Sequence, residues 1–232
     1  MGTKRDNSQA VAAYAQLRER IVSGEFGSDQ ILTEAELADQ LAMSRTPVRE
    51  AVKRLEADGL LTRVPRKGLT ITRLDQSSIT ELYAFREILE CGAARLAARQ
   101  ADDVEIENMR NILDESQAYK DPVRSNYEFH QAIYTASHNQ FLVKAINNLI
   151  DSTSLLGQST LAHTGRPQKA LQEHRELFRA IEQRDEELAV VCARQHIRQA
   201  LLARLQQQRT AAPSVSGSVL AQKDANSKET SA

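Results

Sequence analysis

Residues 32–68 read LTEAELADQLAMSRTPVREAVKRLEADGLLTRVPRKG, and within that stretch the apolar period switches from helical to alternating. Thr33 stands ahead of Glu34 and Glu36, the spacing of a capped helix start, and Leu37, Ala38 and Leu41 then share one face. Met43 and Ser44 make a turn, and Ser44 is placed to cap a further helix whose apolar face is Val48, Val52 and Leu55. Pro47 falls in the first turn of that helix, where its missing N–H costs nothing, and Asp58-Gly59 ends it. Leu60 to Val64 and Leu69 to Ile71 then read as two short strands joined at a tip, Pro65-Arg66-Lys67-Gly68. Upstream, Val11, Tyr14, Leu17, Ile21 and Val22 make a stripe over 8–23, closed by Gly24. Three helices followed by a small hairpin is the order of a winged helix-turn-helix, in which the third helix enters a DNA major groove and the hairpin flanks the backbone.

Charge agrees with that order. The chain of 232 residues has a formal net charge of −1, too small for wholesale coating of nucleic acid. Yet Arg45, Arg49, Lys53, Arg54, Arg63, Arg66, Lys67 and Arg73 crowd into 44–73, against Glu50, Glu56 and Asp58 alone. Such an island suits a phosphate backbone. Arg45, Thr46, Arg49 and Lys53 project from successive turns at the start of the third helix, where arginine reads guanine edges. A solvated basic helix face has the same pattern, and the turn before it and the basic hairpin after it favour DNA.

The rest of the composition excludes several classes. No stretch is apolar for the length a bilayer requires, and MGTKRDNSQA carries no secretion signal, so a cytoplasmic protein is expected. Cys91 and Cys192 are isolated and read as small apolar residues in a reducing compartment. No GxSxG, phosphate loop or HExxH occurs, and an enzyme is not expected.

From Ser78 onward only helical periods appear, over 78–99, from Asp102 or Asp103, from Asp121-Pro122 to Ser137, and over 139–161, 167–183 and 185–207. The first carries Ile79, Leu82, Phe85, Ile88, Leu89 and Leu96 as its apolar set. The chain is therefore mainly α, with a winged helix-turn-helix over 8–73, a linker over 74–77, and an all-α bundle of six to seven helices over 78–208. Residues 209–232 are polar, without a period, and are expected to be disordered.

Residues 32–68 resemble the N-terminal signature of the GntR family of bacterial regulators nearly throughout. That resemblance implies a homodimer on a short palindromic operator. It implies Ser44, Arg45, Thr46, Arg49 and Lys53 at bases or phosphates, and Arg66, Lys67 and Gly68 at the wing tip. Many members carry a phosphate-contacting arginine before Glu36, where this chain has Ala35. Slightly less salt-dependent binding is expected.

Histidines mark the second half. Asn126 and His130 lie four apart and face the same way, and His174 and His196 lie on later helices. Spacing alone fits ordinary helix histidines as well as a metal site inside a bundle. His138 and His163 fall near helix ends and read as solvated. However, the segment from Asn126 to Asn139 resembles the D-x-x-x-H segment of the FadR C-terminal (FCD) domain, and Glu173 to His196 resembles its closing helices. Members of that group bind a divalent metal through one Asp and three His, beside a pocket for a small organic acid.

The resemblance implies Asn126, His130, His174 and His196 as ligands of zinc, or of nickel or a similar cation. Asn126 departs from the family's Asp, and four neutral ligands would leave the ion its full charge, favouring an anionic effector. Arg86 matches an inward-pointing pocket arginine, although Glu90 at i+4 offers it a surface partner equally well. The short helical region resembles the VanR-type subgroup, implying a small carboxylate or amino-acid-like metabolite. The expected function is a ligand-responsive repressor whose sensor domain signals through the linker at Leu74 to Ser77.

Overall fold

The computed structural model describes residues 2–27, 29–116, 121–162 and 164–211. Helix α1 (Gly2–Val22) buries Ala13, Leu17 and Ile21. It begins before residue 8 because no glycine or proline interrupts it between Thr3 and Val22, and backbone hydrogen bonding continues past the apolar stripe. Helix α2 (Glu34–Gln40) opens on a reciprocal capping box, with Glu36 N–H donating to Thr33 Oγ1 and Thr33 N–H donating to Glu36 Oε2. Ala42, at a left-handed φ of 52°, turns the chain into α3 (Arg45–Ala57). Ser44 sits at the cap position of α3, but its side chain makes no capping hydrogen bond, so the hydroxyl stays exposed. Val48, Ala51, Val52 and Leu55 of α3 pack against α1 and α2 in one core with Leu32, Leu37, Leu60 and Leu69.

Strands β1 (Leu61–Val64) and β2 (Gly68–Ile71) pair antiparallel, from Leu61↔Ile71 to Val64↔Gly68. Leu32 bridges Leu69 through two backbone hydrogen bonds of 2.8 Å, tying the wing to the chain ahead of α2. That bridge gives Gly68 a structural role beyond the wing-tip contact implied by sequence. At its φ of 136°, an added Cβ would stand 2.5 Å from the Leu32 carbonyl oxygen. Gly68→Ala is expected to destabilise the winged unit by about 2–4 kcal/mol, through strain and the forced separation. Urea unfolding checks this, and a loss under about 0.5 kcal/mol would mean the wing yields freely.

The second unit comprises α4 (Gln76–Gln100), α5 (Asp103–Glu115), α6 (Pro122–Ala136), α7 (Gln140–Ser154), a 3-10 turn (Thr160–Ala162), α8 (Arg166–Glu182) and α9 (Glu186–Ala211). Side chains of Asp75, Asp102, Asp121 and Asn139 cap the first four of these helices, each accepting from one or more first-turn N–H groups. The cap at Asp75 starts α4 two residues earlier than Ser78, so only part of 74–77 is non-helical. Helix α9 continues through 209–211, because an exposed helix with internally satisfied hydrogen bonds needs no apolar period; residues 212–232 of the expected disordered tail lie outside the described residues.

Ala93, Ala94, Ala97 and Ala98 of α4, with Ala189 and Ala193 of α9, keep side chains small in a core filled by Met109, Phe129, Ile133, Tyr134, Ile146 and Leu177. These alanines and Glu90, rather than the largest apolar residues, set the buried face of α4. Phe85 and Ile88, expected inside, are therefore 49% and 69% exposed.

Candidate DNA interface and metal centre

Helix α3 and the wing carry the sequence-predicted DNA residues on the exposed side. Ser44, Arg45, Thr46, Arg49, Lys53, Arg66 and Lys67 are all solvent-facing, and Gly68 is half-buried. The basic island divides once its partners are known. Arg49 pairs with Glu34 at 3.3 Å, Lys53 with Glu50 at 2.9 Å, and Arg63 with both Glu34 and Glu56. Arg54 lies 3.9 Å from the centre of the Tyr14 ring, and Arg73 pairs with Asp29. Arg45, Arg66 and Lys67 enter no ion pair among the described residues. They therefore mark the helix start and the wing tip as positions where a phosphate or base edge meets little competition. Arg63 and Arg54, counted with the island by composition, brace the fold.

The second site is buried. α6, α8 and α9 bring His130, His174 and His196 together, with one ligand nitrogen from each ring within 4.8 Å of the others. All three are buried, and their ring centroids are 4.6–5.1 Å apart. Each of two rings is held from outside by a carboxylate. His130 Nδ1 lies 3.1 Å from Glu90 Oε2, and His196 Nδ1 lies 2.7 Å from Glu173 Oε2. Each carboxylate is held in turn by an arginine: Arg86 Nε donates to Glu90 at 3.0 Å, and both terminal nitrogens of Arg166 donate to Glu173. The Tyr134 hydroxyl also donates to Glu90, at 2.7 Å.

This outer ring fixes the chemistry of the inner one. A carboxylate facing Nδ1 accepts a hydrogen bond from the N–H there, fixing the tautomer whose lone pair is on Nε2. The Nε2 atoms of His130 and His196 then face each other at 3.2 Å. The Nε2 of His174 is buried without a hydrogen-bond partner. A shared proton would join the first two and leave the third unpaired, at the full cost of a buried polar atom. A cation answers all three. Two imidazole nitrogens at about 2.05 Å from one tetrahedral ion are about 3.3 Å apart, close to the 3.2 Å between the Nε2 atoms of His130 and His196. Burial, followed by the charges of the neighbouring histidines, pushes the His174 and His196 imidazoles well below their usual range, so they stay neutral, the form that binds metal.

Glu90 shows the reverse: burial alone would raise it, but His130 and Arg86 overcome that and hold its carboxyl well below the usual carboxylate range. The two carboxylates and the two arginines cancel, so an ion in the centre would keep its charge.

Asn126, one turn before His130, is half-buried and lines two cavities, one shared with His130 and His196 and the other with His174. The first has a volume of about 280 Å³, just under the roughly 300 Å³ at which drug-sized pockets begin. Arg86 and Arg204 both line it, with Tyr134, Thr153, Ser154 and Ser159, and among the described residues no Asp or Glu does. Arg86 pairs with Glu90 inside the bundle rather than at the surface, and it also lines this cavity.

Arg204 was not anticipated. Its Nη1 donates to the Leu156 and Gln158 carbonyls at 3.0 Å, and its buried Nε has no partner. Glu90 and Glu173 were also missed as site residues. Their signal was a carboxylate in phase with the buried positions Tyr83 and Ala94, and another beside His174. His138 instead pairs with Glu105 at the surface, and His163 lies outside the described residues.

A winged helix-turn-helix joined to a helical bundle with an internal polar site is the architecture of a two-domain DNA-binding regulator. Comparison with known families is consistent with this throughout. Residues 9–71 match the bacterial regulatory proteins of the gntR family, and residues 81–199 match the FCD domain. The chain belongs to the GntR family of transcriptional regulators, with an FCD domain, and is not an enzyme. It is 32% identical over 196 residues to the uncharacterized HTH-type transcriptional regulator YdhC of Bacillus subtilis, covering 79% of this chain and 84% of that one. It is 30% identical over 148 residues to the gluconate operon transcriptional repressor of Bacillus licheniformis, covering 61% and 60% of the two chains. In fold it matches the solved structure of McbR/YncC from Escherichia coli, with a TM-score of 0.70 at 23% identity over 86% of this chain and 98% of that one. No helix among the described residues is long and apolar enough to cross a membrane.

Proposed function

We propose that the chain is a cytoplasmic, ligand-responsive repressor that binds a palindromic operator as a homodimer and senses a small carboxylate or amino-acid-like metabolite beside a bound divalent metal. The observation that carries this is the convergence of three buried imidazoles, that of His174 with an unpartnered Nε2, next to a small cavity lined by Arg86 and Arg204 and, among the described residues, by no acid. His130, His174 and His196, with the Asn126 amide oxygen, would hold the ion; zinc and nickel suit the nitrogen-rich set. The ion would supply a fixed positive charge and open coordination to an anionic group. Arg86 and Arg204 would set the orientation of that anion, and the cavity's volume favours a small metabolite over an acyl thioester. The repressor reading takes support from the gluconate operon repressor among the relatives.

On the DNA side, Arg45, Thr46 and Arg49 are assigned to bases, and Ser44, Lys53, Arg66 and Lys67 to phosphates, with Gly68 letting the wing backbone sit close to the domain. Exposed Phe85 and Ile88 on α4 are the kind of apolar surface that a second copy covers. Light scattering on the full chain should accordingly give twice the chain mass, and a monomer at micromolar concentration would remove the palindrome from the account.

A thermal-shift series of small carboxylates and amino acids, with and without zinc or nickel, tests the sensor. At least one acid should raise the melting temperature only when metal is present. A flat response across the whole series would sink the sensor reading. The outer carboxylates give a finer test. Glu173→Gln keeps the shape but loses the charge that orients His196, so metal affinity should fall about 10- to 100-fold. Calorimetric titration measures it, and an unchanged affinity would detach Glu173 from the site.

A further inference from the structure

The last turn of α7 and the strap behind it, 150–161, touch three parts of the molecule at once. Ile150, Thr153 and Ser154 line the cavity beside the histidines. Asp151, between them in sequence, faces the other way. It is buried, and its two oxygens accept from Arg18 of α1, with Nε at 2.5 Å from Oδ2 and Nη2 on Oδ1. Leu155 packs on the core of the winged domain, and Leu156 joins Leu74 of the linker in a cluster with Ile79 and Ile197. Helical geometry explains the division. Positions 150, 153 and 154 share one face, and 151 and 155, four apart, share another about a third of a turn round.

The ion pair makes this contact directional. A bidentate arginine–carboxylate pair fixes orientation as well as distance, and a buried Asp151 deprived of Arg18 would be left as an uncompensated charge. Arg18 sits on the helix whose Ala13, Leu17 and Ile21 enter the core with Val48 and Val52 of α3. A shift of the α7 turn must therefore carry α1, and with it the recognition helix, or break the pair.

We propose that the α7 turn and its strap transmit occupancy of the sensor cavity to the DNA-binding domain, with Arg18–Asp151 as the latch that fixes α1 against the sensor domain. This rests on the sensor reading above and adds a route beside the linker: signal reaches the winged domain through Asp151 and Leu155 directly, and the linker through Leu156.

Hydrogen exchange of the full chain by mass spectrometry tests it, with zinc as the probe and calorimetry run alongside. Without metal, Asp151→Asn or Arg18→Gln should raise exchange of α1 amides about fivefold or more, with α8 and α9 unchanged. Under saturating zinc, exchange should change in α1 and α7 as well as in α6, α8 and α9 of the wild type, and in all of these except α1 in the variants. Two variants on opposite domains guard against misfolding of one. Exchange of α1 that is the same in variants and wild type overturns the latch. A zinc effect on α1 that survives both substitutions overturns the transmission. If calorimetry finds no zinc binding, the sensor reading fails on its own, and the metal-free comparison still decides the latch.

Discussion

His174→Ala should remove high-affinity metal binding, lowering affinity about 100-fold or more, because a directly ligating imidazole matters at least as much as its outer partners. The same change should leave operator binding by the metal-free protein intact, since α8 lies in the second unit, away from α3 and the wing. The substitution is informative because of what it does not break. His174 Nε2 has no hydrogen-bond partner, so removing it orphans no donor at that atom. The loss of metal-free stability should reflect mainly the space left beside Phe129, whose ring centroid is 4.8 Å away, at about 1–3 kcal/mol. Calorimetry for the metal and fluorescence anisotropy for the operator separate the two effects. Wild-type metal affinity in the variant would mean that the three rings are core histidines and nothing more.

The second large effect belongs to α3. Arg45→Ala and Arg49→Ala should each weaken operator binding by about 1–3 kcal/mol, with Arg45→Ala the more severe. The order follows from their partners. Arg49 must leave or share Glu34 to reach DNA, whereas Arg45 is exposed and enters no ion pair. If both read bases, the loss should shrink on scrambled DNA, and the salt slope should change little. Anisotropy titrations on operator and scrambled DNA, repeated over a range of salt concentrations, decide the matter. A change under twofold for both variants would remove α3 from base recognition, and a uniform loss on all sequences would reassign both residues to phosphate.

Much of this architecture was legible in local sequence. The capping box at Thr33 and Glu36, the turn at Met43-Ser44 and the switch of period after Gly59 are all readable from neighbours within one helical turn. What local sequence missed is non-local. Gly68 looks like an ordinary hairpin glycine until Leu32 is seen pressed against it. Phe85 and Ile88 looked buried because periodicity rewards large apolar residues, while the alanine seam and Glu90 set the actual phase of α4.

The site was half legible. Spacing left the histidines open, and the family resemblance singled out the three that converge on three helices, but neither pointed to Glu90 or Glu173. Those carboxylates give the site its tautomers, and they show themselves only when separate helices are packed together, 40 residues apart in sequence for Glu90 and His130 and 23 for Glu173 and His196. The same holds for Arg18 and Asp151, which lie 133 positions apart.

The proposal stands most directly on whether the three imidazoles hold an ion. Calorimetric titration of zinc into the metal-stripped full-length chain should saturate at one ion per chain, and the bound ion should be lost in His130→Ala, His174→Ala and His196→Ala alike. No saturable binding at that stoichiometry, or binding that survives all three substitutions, would contradict the account.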